Sequence, residues 1–346
     1  MRYIIIGAGA VGGAIGGRLA GAGHEVVLVA RGAHLAALRE GGLRLKVPDG
    51  EYTHRLPAVE GPEELGELRA DDVLLLAVKT QDTVGALQVW GPAPVAGGGT
   101  AAERLPLFCA QNGVEGRRLA LRVFRHVYGV CVWLPATFVE PGAVSAAGAP
   151  LTGMLHLGRH PHGTDETARL VAADLEKSHF EAPVAADVAR WQYAKLLSNL
   201  ANALEAVAGP IARDAAGALY TRVRAEGEAV LDAAGIAYAS VEEQQAVRGH
   251  KVDLVPLDGT PRGGGSSWQS LSRGTGTIEA DYLNGEIGLL GRLHGVPTPL
   301  NDLLQQLANT FARERRAPGS MPVEQLARLA EEATEAAEAV AFVQES

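Results

Sequence analysis

The stretch that decides the fold is residues 2–35, RYIIIGAGAVGGAIGGRLAGAGHEVVLVARGAHL. Residues 3–6 form a β-branched apolar run that stops at Gly7, and residues 11–22 carry apolar side chains at helical spacing. A second apolar run follows at 24–29. The pattern predicts a strand, a helix and a second strand with short connections, which is how a parallel α/β sheet begins.

The glycines of this stretch have a regular spacing. Gly7, Gly9 and Gly12 match the pattern G-x-G-x-x-G at the turn from the first strand into the helix. Such glycines permit a tight turn and close backbone approach to a pyrophosphate, whose charge meets the helix N-terminus. We therefore predict a dinucleotide site in which these glycines, with Ala10 and Val11 between them, contact the cofactor.

The end of the second strand indicates which dinucleotide binds. A site for NAD would carry Asp or Glu there to accept a hydrogen bond from the ribose 2′-hydroxyl, but this chain has Ala30 and then Arg31. A guanidinium pairs well with a 2′-phosphate, so the sequence favours NADPH/NADP⁺. The alternative is that Arg31 is a solvated loop residue.

Two later strands also end in polar residues. The buried runs 71–79 and 104–113 finish near Lys79 and Asn112. Ligands of open parallel sheets lie beyond the carboxyl ends of the strands, so we expect both side chains at the cofactor crevice, in contact with cofactor or substrate. Taken singly, each is an ordinary polar residue at a strand end.

The second half of the chain is predicted to be all helical. The stretches that are rich in Ala, Leu and Glu with helical period are 165–178, 187–208, 212–234, 240–249, 279–294 and 300–315. Residues 257–276 are rich in Gly and Ser and read as a loop. We expect a Rossmann domain at 1–186, a helical substrate and catalytic domain at 187–320, and an acidic helical tail with a solvated face at 321–346.

A polar stripe interrupts the apolar face of the predicted helix 187–208. Lys195, Asn199 and Asn202 fall within about 60° of one another on a regular helix. Burying an ammonium and two amides is costly unless each finds a partner, so this stripe faces solvent or a polar ligand.

The chain resembles the ketopantoate reductases of the PanE/ApbA family. The motifs that carry the resemblance occur in order along residues 1–315: GAGAVGG, VARGAHLAAL, AVKTQDT, QNGVE, KLLSN and SSWQSLSRGTGTIEADYLNGEI. The resemblance implies an N-terminal Rossmann domain and a C-terminal helical domain with the active site between them. It also implies reduction of a 2-oxo acid by NADPH.

The resemblance further implies roles for individual residues. Lys195 corresponds to the catalytic lysine and Asn199 to a substrate-binding asparagine, while Asn112 and Lys79 match the family residues at the strand ends. Ser267 and Glu279, twelve residues apart, match the serine and glutamate that contact substrate, and the resemblance implies a catalytic role for Glu279 as it does for Lys195.

The chain departs from the family pattern at two places. The second asparagine of the lysine motif is expected at Ala203, but stands one residue earlier as Asn202, which we assign to substrate binding. Trp268 replaces the methionine that usually follows the serine pair. Both departures affect the substrate side.

These features leave three functions open. The first is NADPH-dependent reduction of ketopantoate to pantoate in pantothenate biosynthesis, with Lys195 as proton donor. The second is reduction of another 2-oxo acid or an imine, and the third is a non-catalytic NADP-binding sensor. The resemblance leaves the oligomeric state open, with a homodimer as the candidate.

Composition excludes other classes of function. A net charge of −9 argues against a nucleic-acid binder, and apolar runs are too short for a membrane helix. With Cys109 and Cys131 as its only cysteines, the chain has no disulfide framework, which indicates the cytoplasm. Three nearby histidines, His156, His160 and His162, lack accompanying Cys or acid ligands, and we expect no metal.

Overall fold

The computed structural model describes residues 1–210, 215–259 and 264–344. The chain divides into two compact units, Met1–Gln192 with Ala239–Arg262, and Tyr193–Tyr238 with Gly263–Ser346. The units differ from the expected ranges at three places, the first being the boundary, which lies after Gln192 and not after residue 186. A segment from the middle of the second half groups with the first unit, and the C-terminal helix groups with the second.

Among the described residues, every strand lies in the first unit. The strands are β1 Arg2–Ile6, β2 Glu25–Val29, β3 Leu43–Val47, β4 Gly50–His54, β5 Ala58–Val59, β6 Asp72–Leu76, β7 Pro106–Cys109, β8 His126–Trp133, β9 Ala136–Glu140, β10 Ala143–Ala146, β11 Gly148–Pro150, β12 Gly153–Arg159, β13 Phe180–Glu181 and β14 Val252–Leu254.

The main sheet has the strand order β13-β12-β8-β7-β6-β1-β2-β5. Its pairs are parallel except β12 with β8, which run antiparallel. Successive side chains of a strand point to opposite faces, and here Tyr3 and Ile5 enter one buried cluster while Ile4 and Ile6 enter the other. The sheet is thus covered on both faces, as parallel sheets require.

The helices follow in chain order. They are α1 Ala10–Gly21, α2 Gly32–Gly41, α3 Thr83–Trp90, α4 Ala101–Arg104, α5 Glu115–Leu121, α6 Glu166–Lys177, α7 Val188–Asn199, α8 Ala201–Ala208, α9 Ala215–Ala233, α10 Val241–Arg248, α11 Ser266–Ser272, α12 Asn284–His294, α13 Pro299–Arg313 and α14 Val323–Gln344.

A small second sheet, β4-β3-β10-β9, packs against α1. The approach is close because α1 presents glycines: a Cβ at Gly13 would stand 3.0 Å from Val144, and one at Gly17 would stand 2.8 Å from Leu45. The sequence analysis did not foresee this sheet, whose side chains Val144 on β10 and Leu45 on β3 pack on the glycines of α1.

The second unit is an assembly of helices. The carboxylate of Glu226 on α9 accepts hydrogen bonds from the backbone N–H groups of Leu300 and Asn301, each at 3.0 Å, and so caps the N-terminus of α13. The C-terminal helix α14 packs against α9 and α13 and buries Leu326 and Ala330. The acidic tail therefore has an apolar face that is part of the unit's core.

The fold class is confirmed: an α/β Rossmann-type unit is followed by a helical unit. Three details of the prediction were wrong. The helix expected at 187–208 is interrupted at Leu200, the half expected to be all helical contains β13 and β14, and the loop expected at 257–276 contains α11. None of the described helices is both long enough and apolar enough to cross a membrane.

Candidate active site

The glycine-rich turn connects β1 to α1. Gly7 has φ +101°, and a Cβ there would lie 2.7 Å from the backbone N of Val78. A Cβ at Gly12 would lie 2.2 Å from the carbonyl oxygen of Gly7. Gly9 differs, because a Cβ at that position would meet nothing within 4 Å. Protein atoms therefore pack tightly around Gly7 and Gly12, whereas the space beside Gly9 is empty of protein atoms. This open space suits the approach of a pyrophosphate to the N-terminus of α1.

Arg31 follows β2 and lies directly before α2. Its side chain is 79% exposed, and its guanidinium forms an ion pair of 3.2 Å with Asp82. Asp82 ends a short 3-10 helix, Thr80–Asp82, which follows β6. Because β1 lies between β2 and β6 in the sheet, this ion pair joins the loops on either side of the glycine-rich turn.

Lys79 and Asn112 lie beyond the carboxyl ends of the adjacent parallel strands β6 and β7. The hydroxyl of Thr80 donates to the carbonyl oxygen of Asn112 at 3.4 Å, which brings the two loops together. The structure thus places both predicted residues at the edge of the sheet where the glycine-rich turn lies.

Gln111 is a residue that the sequence analysis missed. Its amide Nε2 donates to the carbonyl oxygen of Val78 at 2.9 Å and to the hydroxyl of Thr83 at 2.8 Å. These bonds hold the loop after β7 against the loop after β6. The only sequence signal is its position next to Asn112 at a strand end.

In the second unit, Lys195 and Asn199 lie four residues apart on α7 and therefore on one helix face. Asn199 is 5% exposed, and Lys195 is partly buried. The side chains of Lys195 and Asn199 are thus largely shielded from solvent, and their polar groups need polar partners.

Asn202 belongs to α8 and takes part in a different set of contacts. Its amide Nδ2 donates to the hydroxyl of Ser266 at 3.3 Å, and Glu205, one turn later, accepts from the backbone N–H of Gly265 at 2.8 Å. Gly265 is the N-cap of α11 and has no side chain to cap it. Asn202 therefore holds the start of α11, which is a contact that the substrate assignment of this residue did not foresee.

Helix α11 carries Ser267 and Trp268. Ser267 is buried, as is Glu279, which directly precedes the 3-10 helix Ala280–Tyr282. The Trp268 ring packs on the backbone at Gly319, where a Cβ would lie 2.9 Å from the ring. Trp268 thus supports the segment that leads into α14. Arg273 lies near Glu279: desolvation lowers the pKa of the Arg273 guanidinium, and the Glu279 carboxylate opposes that shift.

The histidines and cysteines do not form a metal site among the residues that the structure describes. Cys109 and Cys131 are free and buried, and burial raises the pKa of the Cys109 thiol to about 12. A glycine-rich turn at the carboxyl edge of a parallel sheet, followed along the chain by a helical unit, is typical of dinucleotide-dependent oxidoreductases.

The chain belongs to the ketopantoate reductase family PanE/ApbA. The family model for the N-terminal part matches residues 3–162, and the model for the C-terminal part matches residues 187–312. The protein is accordingly an oxidoreductase, and the family uses the nicotinamide cofactor NADPH. Helix α14 lies beyond both matches.

Individual relatives span nearly the whole chain. A 2-dehydropantoate 2-reductase of Mesorhizobium japonicum is 29% identical over 351 aligned positions, covering 91% of this chain and 99% of the relative. The crystal structure of a PanE/ApbA family ketopantoate reductase from Ralstonia eutropha JMP134 has a TM-score of 0.74 at 29% identity, covering 91% and 100% of the two chains. A ternary structure of D-mandelate dehydrogenase with NADH and anilino(oxo)acetate has a TM-score of 0.76 at 22% identity, covering 92% and 100%, and shows the same fold.

Proposed function

We propose that this protein reduces ketopantoate (2-dehydropantoate) to pantoate with NADPH, a step of pantothenate biosynthesis. The observation that carries the proposal is that both halves of the chain match the models of the ketopantoate reductase family. In this proposal the Rossmann-type unit binds the cofactor and contributes Asn112 to the substrate, and the helical unit supplies the other residues that act on the substrate.

The cofactor is held by the turn and the loops around it. The backbone of Gly7, Gly9, Ala10, Val11 and Gly12 receives the pyrophosphate, a role supported by the open space beside Gly9. Arg31 pairs with the 2′-phosphate, and Lys79 and Asn112 contact the cofactor from the neighbouring strand ends. The bound cofactor supplies a hydride.

Lys195 supplies the proton. As an ammonium it donates a hydrogen bond to the ketone oxygen, and this interaction strengthens as negative charge develops on that oxygen. When the carbonyl carbon has accepted the hydride, the ammonium gives its proton to the alkoxide, leaving the alcohol and a neutral amine. Water then returns a proton to the amine.

The substrate is oriented by neutral donors and one carboxylate. Asn199, Asn112 and Ser267 donate to the carboxylate of the 2-oxo acid, while Glu279 accepts from its hydroxyl group. Asn202 is also assigned to substrate binding, and its amide donates to Ser266 at the start of α11.

One observation favours a second candidate, the reduction of another 2-oxo acid or an imine. Ala203, which stands where the family has its second asparagine, is 1% exposed, and Asn202 is engaged by helix α11. The substrate side therefore has one amide fewer than the family pattern provides.

NADPH oxidation, measured with ketopantoate and a panel of 2-oxo acids and imines, tests the proposal. We expect ketopantoate to give the highest kcat/KM. Turnover of another acid in its place would favour the second candidate. Tight NADPH binding without turnover of any substrate would favour the non-catalytic sensor.

The oligomeric state and location complete the proposal. A homodimer is supported by Leu289 and Leu293, which lie one turn apart on α12 and are 45% and 68% exposed. A monomeric mass in light scattering at micromolar concentration would contradict it. A cytoplasmic location is supported by the two free, buried cysteines.

A further inference from the structure

His34 lies in the first turn of α2 and bonds through both ring nitrogens. Its Nδ1 accepts a hydrogen bond of 2.9 Å from the backbone N–H of Gly142, in the turn between β9 and β10. Its Nε2 lies 2.7 Å from the carbonyl oxygen of Ala8, inside the glycine-rich turn.

The two partners fix the tautomer of the ring. A backbone N–H can only donate, so Nδ1 carries no proton, and the proton on Nε2 is donated to Ala8. The imidazole is therefore neutral, and burial, which lowers the pKa of His34, favours the same state. The ring edge packs against Phe138 at a centroid distance of 4.9 Å, which limits its rotation.

The hydrogen bond from His34 acts on Ala8, which lies inside the glycine-rich turn. Ala8 stands between Gly7 and Gly9, and its N–H donates to the carbonyl oxygen of Val29 at 2.9 Å. With His34 on its carbonyl oxygen, both backbone polar groups of Ala8 are bonded. The peptide that follows Ala8 is thereby held in one orientation, and its N–H belongs to Gly9, the open position of the turn.

We propose that His34 is a positioning residue for the cofactor site: it links the small sheet to the glycine-rich turn and sets the orientation of the Ala8–Gly9 peptide toward the pyrophosphate. The inference rests on the proposed NADPH site at that turn. His34 acts through the backbone of Ala8, because both of its ring nitrogens are already bonded to protein backbone groups.

The variants His34→Gln and His34→Asn test the hydrogen bonds to Ala8 and to Gly142 separately. Gln at position 34 places an N–H group where Nε2 stands and can still donate to Ala8, whereas Asn places an oxygen where Nδ1 stands and can accept only from Gly142. The dissociation constant of NADPH is measured by fluorescence titration. We expect it to stay within about 3-fold of the wild-type value for His34→Gln. For His34→Asn and His34→Phe we expect a rise of about 10-fold, because both lose the hydrogen bond to the buried carbonyl of Ala8. The exposed His162→Phe serves as the control, with no change expected.

A second measurement does not depend on the cofactor. Hydrogen exchange of the Gly142 amide should accelerate in His34→Phe and stay slow in His34→Asn, while the amides of residues 8–13 should accelerate in both. Equal NADPH affinities for the Gln and Asn variants, or unchanged exchange in residues 8–13, would overturn the positioning role. Failure of the wild-type protein to bind NADPH would instead refute the proposed cofactor site, and the exchange data would still decide whether His34 holds the turn.

Discussion

The guanidinium of Arg31 lies 3.2 Å from the carboxylate of Asp82, so the cation that we assign to the 2′-phosphate already has an anionic neighbour. Both side chains are exposed, at 79% and 38%, and such pairs contribute little to stability. The pair therefore leaves Arg31 available to a phosphate, while Asp82 opposes the binding of that phosphate.

Two variants test this relationship. Arg31→Ala should raise the KM for NADPH about 10-fold or more and leave the KM for NADH nearly unchanged, because only the 2′-phosphate loses its partner. Asp82→Asn should strengthen NADPH binding slightly at low salt, and added salt should remove the gain. Equal effects of Arg31→Ala on both cofactors would contradict the assignment.

Gly9 and Gly12 should respond differently to the same substitution. A methyl group at Gly9 meets no protein atom within 4 Å, so Gly9→Ala should keep its melting temperature but lose NADPH affinity because the methyl occupies the space for the pyrophosphate. At Gly12 the methyl would stand 2.2 Å from the oxygen of Gly7, so Gly12→Ala should also lower the melting temperature. Thermal unfolding with and without NADPH measures both effects. Unchanged NADPH affinity in Gly9→Ala would argue against the cofactor site.

Lys195→Ala should abolish proton donation without affecting the cofactor. General acid catalysis contributes about 100-fold or more, so we expect kcat to fall by at least that factor. The dissociation constant of NADPH should change less than about 2-fold because the proposal assigns Lys195 to the substrate and not to the cofactor. Lys177→Ala, an exposed lysine, is the matched control. A kcat within a few-fold of the wild type would exclude Lys195 as the donor.

Glu205 offers a test of how α11 is held. Removing the carboxylate in Glu205→Ala leaves the N–H of Gly265 without its acceptor, and a bond to a charged group is worth about 1.5–3 kcal/mol. Since α11 carries Ser267, we expect the KM for the 2-oxo acid to rise about 10-fold, with little change in the KM for NADPH. Glu205→Gln keeps an acceptor oxygen and should restore most of the loss. A rise in both KM values would indicate general destabilisation.

His156 predicts a loss of stability in acid. It is 2% exposed, stacks on Trp191 at 4.2 Å, and its ring nitrogens have no hydrogen-bond partner in the described part of the chain. Burial, with a smaller effect from Lys251, lowers the pKa of His156 from 6.5 to about 4. The unfolded chain therefore binds the proton first, and stability falls as the pH drops below 6.5 toward 4.

The expected size of this effect is about 2 kcal/mol between pH 7 and pH 5. Urea unfolding at the two pH values should show the loss in the wild type and a smaller one in His156→Phe, which keeps the stacking ring. The exposed His162→Phe should behave as the wild type. Equal pH dependence in all three proteins would show that His156 does not govern acid stability.

The sequence was sufficient to predict the elements whose patterns are local. The run from Tyr3 to Gly12 predicted β1, the turn and α1, because apolar spacing and glycine spacing are both visible within a few residues. The strand ends at Lys79 and Asn112 were predictable for the same reason. The match of both halves of the chain to one family confirms the resemblance read from the motifs.

Other features depend on contacts between distant residues. Helix α11 lies in a Gly- and Ser-rich segment that reads as a loop, and it is supported by α8 and by the Glu205 carboxylate sixty residues away in sequence. The substrate role of Asn202 and the substrate-side position of Trp268 stay predictions, whereas their contacts with Ser266 and Gly319 join distant segments and have no local signal in the sequence. The contacts of His34 with Ala8 and Gly142 likewise have no local signal.

The assignment of residues 239–262 to the first unit has a consequence for the synthesis of this protein. Strand β14 pairs with β11 at Gly148–Pro150, and Lys251 forms an ion pair with Glu181, so the Rossmann-type unit is incomplete until those residues have left the ribosome. By then helices α7 to α9 have already been translated. The β11–β14 pair and the Lys251–Glu181 ion pair of the first unit can therefore form only after part of the second unit has been made, so the synthesis of the two units overlaps.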